Sequence, residues 1–182
     1  SIESANKINK LNFEKKFLYK KIYSNLNAWQ KVQVARHPER PHCINYINTI
    51  FDNFIKLAGD KKYGEDEAIL AGIGKINNKS FVIIGNEKGN TMETRIKHNF
   101  GMSKPEGYRK AQRLMHLAEK FNLPIITFID TAGAFPGKDA EERGQSESIA
   151  SSISKSLKVK TPIISIIIGE GGSGGAIALA TA

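Results

Sequence analysis

Pro124-Ile125-Ile126-Thr127-Phe128-Ile129 runs straight into Asp130-Thr131-Ala132-Gly133-Ala134, and further along Ile163 to Ile168 runs into Gly169-Glu170-Gly171-Gly172-Ser173-Gly174-Gly175-Ala176. Each segment is a nearly continuous apolar run of strand length followed by a glycine-containing turn, the pattern of a strand buried on both faces. Between them, Asp139 and Glu142 open a helix that carries Ile149, Ile153 and Leu157, and another helix begins after the second glycine turn. Strand, helix, strand, helix predicts right-handed crossovers onto a parallel sheet. The last helix is apolar and stops at Ala182, which reads as an incomplete domain.

Working outward, Ala68 to Ile76 and Phe81 to Gly85 read as two β-type runs joined across Asn77-Asn78, residues that tolerate left-handed angles in a tight turn. Asn86 to Met102 is polar and glycine-containing, and reads as a surface loop. Ser103-Lys104-Pro105-Glu106 has the spacing of a capping box, opening a helix that buries Ala111, Leu114, Met115, Ala118 and Phe121. Residues 7–34 place Leu11, Leu18, Ile22, Leu26 and Trp29 on one stripe, predicting a single long helix that ends before Pro38 and Pro41. A second helix is expected with Ile47, Ile50, Phe51, Phe54 and Leu57 on one face and Gly59 as its stop. The expected division is a helical region over 1–66 and an α/β domain over 67–182.

The chain has 182 residues, 40% hydrophobic and 25% charged, enough for one globular domain with its own core and too balanced for a disordered or low-complexity chain. Its longest apolar run, Ile163 to Gly169, is far too short to span a bilayer. No charged-then-apolar leader opens the sequence, and the single cysteine, Cys43, allows neither an internal disulfide nor a thiolate metal cluster. A reducing, cytoplasm-like compartment is therefore expected. The 27 Lys plus Arg outweigh 18 Asp plus Glu to give a net charge of +9. Such an excess suits a polyanion, either nucleic acid or a phosphorylated cofactor, or simply a lysine-rich surface, since the lysines are spread rather than clustered.

Both apolar strands end where ligands sit in parallel architectures, and a helix starting there aims its first unpaired N–H groups at an arriving anion. Five glycines between 169 and 175, more than a tight turn requires, let an oxygen approach that backbone without striking a β-carbon. The physical reading is an anion or oxyanion site made of backbone. Gly169-x-Gly171-x-x-Gly174 also fits a dinucleotide fingerprint, but the acidic ribose ligand would fall beyond the last residue. Gly171-Gly172-Ser173-Gly174-Gly175 fits a nucleophile elbow in a strand-turn-helix context, so a serine hydrolase or acyltransferase using Ser173 is the alternative; all four histidines (His37, His42, His98, His116) precede it, whereas that fold places its histidine afterwards. Asp130-Thr131-Ala132-Gly133 is spelled like a GTPase magnesium loop, yet no phosphate cradle lies upstream. No metal-ligand pattern is present: His37, His42 and Cys43 read as turn residues, and Glu141-Glu142 as carboxylates at a helix start.

Taken together, Ala35 to Pro41, Asn99-Phe100-Gly101-Met102, Pro105 to Ala111, Pro124 to Gly137, Glu141-Glu142-Arg143-Gly144-Gln145 and Gly169 to Ala176 resemble the α subunit of bacterial acetyl-coenzyme A carboxylase carboxyltransferase, block by block and in the family's order. The resemblance implies an α/β crotonase-like (ClpP/crotonase) superhelix of ββα units behind an N-terminal helical arm. It implies transfer of a carboxyl group from carboxybiotin, on a separate carrier protein, to acetyl-CoA, giving malonyl-CoA for fatty acid biosynthesis. It also implies a zinc-bearing β subunit, with the metal on that partner and none here, an α2β2 assembly, a biotin carboxyl carrier protein and, indirectly, biotin carboxylase. The setting implied is a bacterial cytoplasm, or less readily a plastid stroma, with no membrane and no nucleic acid.

By the family's pattern Gly174 and Gly175 hold the ureido oxygen of biotin, Gly171 and Gly172 shape the turn, and Gly133, Ala134 and Phe135 form part of the substrate-binding surface. Ala132 stands where proline is common and Phe135 where tyrosine is common. Lys88, Arg95, Lys97 and Lys104 are candidates either for the phosphates of coenzyme A or for a solvated loop. Because the family continues past the second glycine turn, these 182 residues alone are expected to be inactive.

Overall fold

The structure is a computed structural model and describes residues 2–182. It divides into a helical unit ending at His37 and a second unit, Pro38–Ala182. In the first, α1 (Ile2–Tyr23) and α2 (Ala28–Ala35) replace the single helix predicted for 7–34. The break comes from Asn27, which leaves helical angles: its side chain accepts from the Gln30 amide at 2.9 Å, while Gln30 Oε1 accepts from the Asn27 amide at 2.9 Å. A cap of this kind is worth about 1 kcal/mol, enough to favour a new helix start over continuation. Leu11, Leu18 and Ile22 do share one stripe of α1, and it is exposed.

The second unit opens with α3 (Cys43–Ile50) and β1 (Asp52–Lys56). The helix predicted to run through Leu57 therefore stops early: Phe51 is already extended (φ −110°, ψ 135°), and Asn53-Phe54-Ile55 suits a pleated strand as well as a helix. Residues 38–66 consequently belong with the sheet, since α3 packs Cys43 and Ile47 against Leu70, Ile83 and Phe128. Next come β2 (Ile69–Ile76) and β3 (Lys79–Asn86), a hairpin whose corner residues Asn77 and Asn78 take φ of 49° and 63° as the sequence predicts. The expected loop after it is more built than that. Asn86 and Glu87 are buried, and α4 (Met92–Lys97) is capped by Thr91.

Helix α5 (Pro105–Phe121) comes next, but no capping box opens it. Ser103 Oγ donates instead to Asp66 Oδ2 at 2.7 Å, and Glu106 accepts from Arg143 at 2.9 Å, so both side chains serve tertiary contacts. Phe121, predicted inside, is exposed at the helix end. After β4 (Ile125–Thr131), the helix predicted from Asp139 is two pieces, α6 (Lys138–Glu142) and α7 (Gln145–Lys158), broken where Gly144 takes φ 83°. The chain then forms β5 (Ile163–Gly171) and α8 (Ser173–Ala180).

The sheet order is β1-β2-β3-β4-β5, antiparallel through β3 and parallel from β3 to β5, so the predicted parallel sheet is one half of a mixed one. One face packs Ala111, Leu114, Met115 and Ala118 of α5 with Ala176 and Leu179 of α8; α3 covers the other. Strand β4 is buried along its whole length. Strand β5 is not: at the sheet edge it exposes Ile164, Ile166 and Ile167. No helix among the described residues is long and apolar enough to cross a membrane.

Candidate active site

Because β3, β4 and β5 run parallel, their ends deliver Lys88, the Asp130–Phe135 turn and the Glu170–Gly175 turn to one edge of the sheet. Register between β4 and β5 is regular to Ile129↔Ile167 and then jumps to Thr131↔Gly171, so β5 spends two more residues than β4 over this step. Such a bulge bends a strand and re-aims the segment after it. Here that segment is α8, whose first backbone bond runs from the Ala176 amide to Gly172 O at 3.1 Å. The amides of Ser173, Gly174 and Gly175 are thus the helix's open donors.

The start of this helix packs against the other turn at very close range. The Gly172 amide donates to Thr131 O at 2.7 Å, and a β-carbon at Gly172 would run into the Ala132 carbonyl. A β-carbon at Gly175 would stand 2.5 Å from Gly133 C and 2.6 Å from the Ala134 nitrogen. The Ala134 amide has no partner among the described residues, so open donors from two strand ends lie side by side. The turn itself is stiff. Thr131 Oγ1 accepts from the Gly133 amide at 3.1 Å and donates to Gly133 O at 2.8 Å; the Phe135 amide donates to Ser103 O at 2.9 Å. Buried Gln145 ties the same pieces, donating through Nε2 to Ser103 O and Phe135 O, each at 2.9 Å. Beneath Ser103, burial pushes the Asp66 carboxyl above its ordinary pKa despite bonds from Ser103 and the Ala68 and Lys104 amides.

The structure thus gathers all seven glycine-turn residues singled out in the sequence, with unequal demands on them. Gly172 and Gly175 have no space for a side chain, whereas a β-carbon at Gly171 or Gly174 would meet only ordinary contacts, the latter 3.6 Å from Ile149. Gly133 is buried, and Phe135 is half-buried with the Lys104 ammonium 4.8 Å from its ring centre. Ser173 is exposed with φ 56°, a strained elbow, but its hydroxyl has no imidazole or carboxylate partner among the described residues. Of the candidate phosphate ligands, Lys104 also pairs with Asp139 at 3.3 Å and Arg95 donates to Gly89 O at 3.4 Å, while Lys97 is exposed. Lys88 is different. It lies between Asp130 at 2.9 Å and Glu170 at 2.6 Å, a cross-tie that sequence reasoning misses although Asp130 closes an otherwise apolar strand. His42 and Cys43, read as turn residues, are buried where α3 meets the sheet, and burial raises the Cys43 thiol pKa.

A β-hairpin, a crossover helix and parallel strands ending in apposed glycine turns are arranged as in the crotonase-like fold. Solved structures of that kind superpose on it: the β subunit of geranyl-CoA carboxylase from P. aeruginosa (TM-score 0.63, 20% identity, 79% of this chain and 25% of that one) and transcarboxylase 12S (TM-score 0.66, 17% identity, 82% and 27%). The chain belongs to the acetyl co-enzyme A carboxylase carboxyltransferase-like family, whose pattern it matches over residues 1–182. It is 58% identical over 180 residues to the acetyl-coenzyme A carboxylase carboxyl transferase subunit alpha of Paramagnetospirillum magneticum, covering 99% of this chain and 57% of that protein. It is 56% identical over 182 residues to the corresponding subunit of Brucella ovis, covering 100% and 57%. The chain therefore spans a little over half the length of these relatives.

Proposed function

We propose that this chain supplies the α-subunit side of an acetyl-CoA carboxylase carboxyltransferase site, at which a carboxyl group passes from carboxybiotin to acetyl-CoA to form malonyl-CoA. The observation that carries the reading is the set of open amides at Gly174, Gly175 and Ala134, on two turns held together at Gly172 and Gly175, where only glycine fits. Carboxybiotin, on its separate carrier protein, supplies the activated carboxyl group. Gly174 and Gly175 would hold its ureido oxygen through their open amides and stabilise negative charge on it, with Gly171 and Gly172 shaping the turn. Gly133, Ala134 and Phe135 line the substrate side. Preorganised donors need no rearrangement at the moment of reaction, and each is worth about 3–4 kcal/mol of barrier. A zinc-bearing β subunit, in an α2β2 assembly of the bacterial cytoplasm, completes the site and holds the thioester oxygen.

The test is direct. The full-length subunit carrying this sequence is mixed with its β subunit, acetyl-CoA and a carboxylated biotin carrier, and malonyl-CoA is measured. Formation only when both subunits are present is expected, with none from the 182 residues alone. Malonyl-CoA from this chain without a β subunit, or none from the complete pair, would overturn the proposal.

A further inference from the structure

Three side chains from three separate stretches of the chain hold the bulge of β5. Arg40 donates its guanidinium to Ile168 O. The Asp130 carboxylate fills the space where a side chain on Gly169 would go, and its Oδ1 accepts from the Glu170 amide at 3.1 Å. Lys88, leaving the end of β3, reaches across both neighbouring strand ends to Asp130 Oδ1 at 2.9 Å and Glu170 Oε1 at 2.6 Å. The lysine and its two carboxylates are largely sequestered, with side chains 17%, 4% and 16% exposed for Lys88, Asp130 and Glu170. Two carboxylates share one ammonium there, in surroundings that strengthen both attraction and repulsion. Two residues beyond Glu170, the Gly172 amide docks on Thr131 O, and α8 begins.

We infer that Lys88 is a positioning residue: by clamping Asp130 to Glu170 it fixes the β5 bulge, and so sets the open amides of α8 against those of the 131–134 turn. The inference rests on the proposed role of those amides. Without the ammonium, the two sequestered carboxylates lose the cation that joins them at the root of the second turn. Positioning errors of about 1 Å in such sites cost about a hundredfold in rate.

The experiment uses the assembled carboxyltransferase, with kcat, the KM for acetyl-CoA and the melting temperature measured for Lys88→Met and Lys88→Arg. Lys88→Met should lower kcat about a hundredfold with KM nearly unchanged, and Lys88→Arg should recover much of the loss. Wild-type kcat in Lys88→Met overturns the inference. So does a loss confined to KM, which would place Lys88 on the substrate's phosphates, or a loss that tracks melting temperature and is not rescued by arginine. Should Lys88→Met fail to assemble, Glu170→Gln leaves Lys88 on Asp130 and removes half of the clamp. It should still lose about tenfold in kcat, and an unchanged kcat there is equally fatal. Gly175→Ala, measured alongside, separates the two levels. If it is inert, the amide reading itself fails; if it is crippled while the Lys88 variants are normal, only the clamp fails.

Discussion

Adding one methyl group at Gly175 is the sharpest perturbation of the proposed oxyanion site, because it leaves every N–H in place. In Gly175→Ala the new β-carbon would lie 2.5 Å from Gly133 C, 2.6 Å from the Ala134 nitrogen and 2.8 Å from Gly133 O. Non-bonded carbons rest at about 3.5–4 Å, so the two turns must part by about 1 Å. A displacement of that size is worth about a hundredfold in rate, or about 2.7 kcal/mol of barrier, and outright loss of one donor costs up to about a thousandfold. Stability should move far less, because alanine gains up to about 1 kcal/mol over glycine within a helix, which offsets part of the strain. Gly174→Ala is the matched control: its β-carbon would sit 3.6–3.7 Å from Ile149, an ordinary contact. Malonyl-CoA formation by the assembled enzyme, read beside circular-dichroism melting, should show Gly175→Ala crippled but folded and Gly174→Ala near wild type. Equal activity in the two variants would refute the argument that close apposition of the turns makes the site.

The sequence was most informative where one residue type answers one local demand. Asn77-Asn78 announced the hairpin because few other residues accept two left-handed positions, and Ile125 to Ile129 announced a strand covered on both faces. The glycine turns were legible for the same reason, although spelling alone could not separate Gly172 and Gly175, which have no space for a side chain, from Gly171 and Gly174, which do. Local rules failed where a distant partner outbids a local one. Ser103 and Glu106 have capping-box spacing, yet Asp66 and Arg143 claim them. Phe51 and Phe54 lie at helical spacing, yet β2 offers a strand partner. The apolar spelling of Ile163 to Ile168 predicted burial, but burial needs a neighbour on each side, and β5 is an edge here. The Lys88–Asp130–Glu170 clamp was illegible for a related reason: its members come from three strand ends that only the parallel pairing brings together.

Two further outcomes separate backbone chemistry and buried charge from their rivals. Ser173→Ala should retain most carboxyltransferase activity, and Ser173→Gly should gain about 1 kcal/mol in stability by relieving the left-handed φ of 56°; loss of nearly all turnover in Ser173→Ala would instead make the hydroxyl a nucleophile. Asp60 gives a pH signature away from the site. Burial would raise its carboxyl, but Arg109 at 2.8 Å and the amides of Lys62, Tyr63 and Gly64 outweigh that and hold the pKa at about 2, below the ordinary 3.8. A carboxyl depressed on folding stabilises the protein above its unfolded pKa, and that contribution fades as pH falls through the folded one. The melting temperature of Asp60→Asn should therefore lag the wild type most at neutral pH, with the gap closing between about pH 4 and pH 2. A gap of constant size across that range would mean that the bonds at Asp60 act through shape alone, and that its charge contributes nothing to holding the 59–64 loop on Arg109.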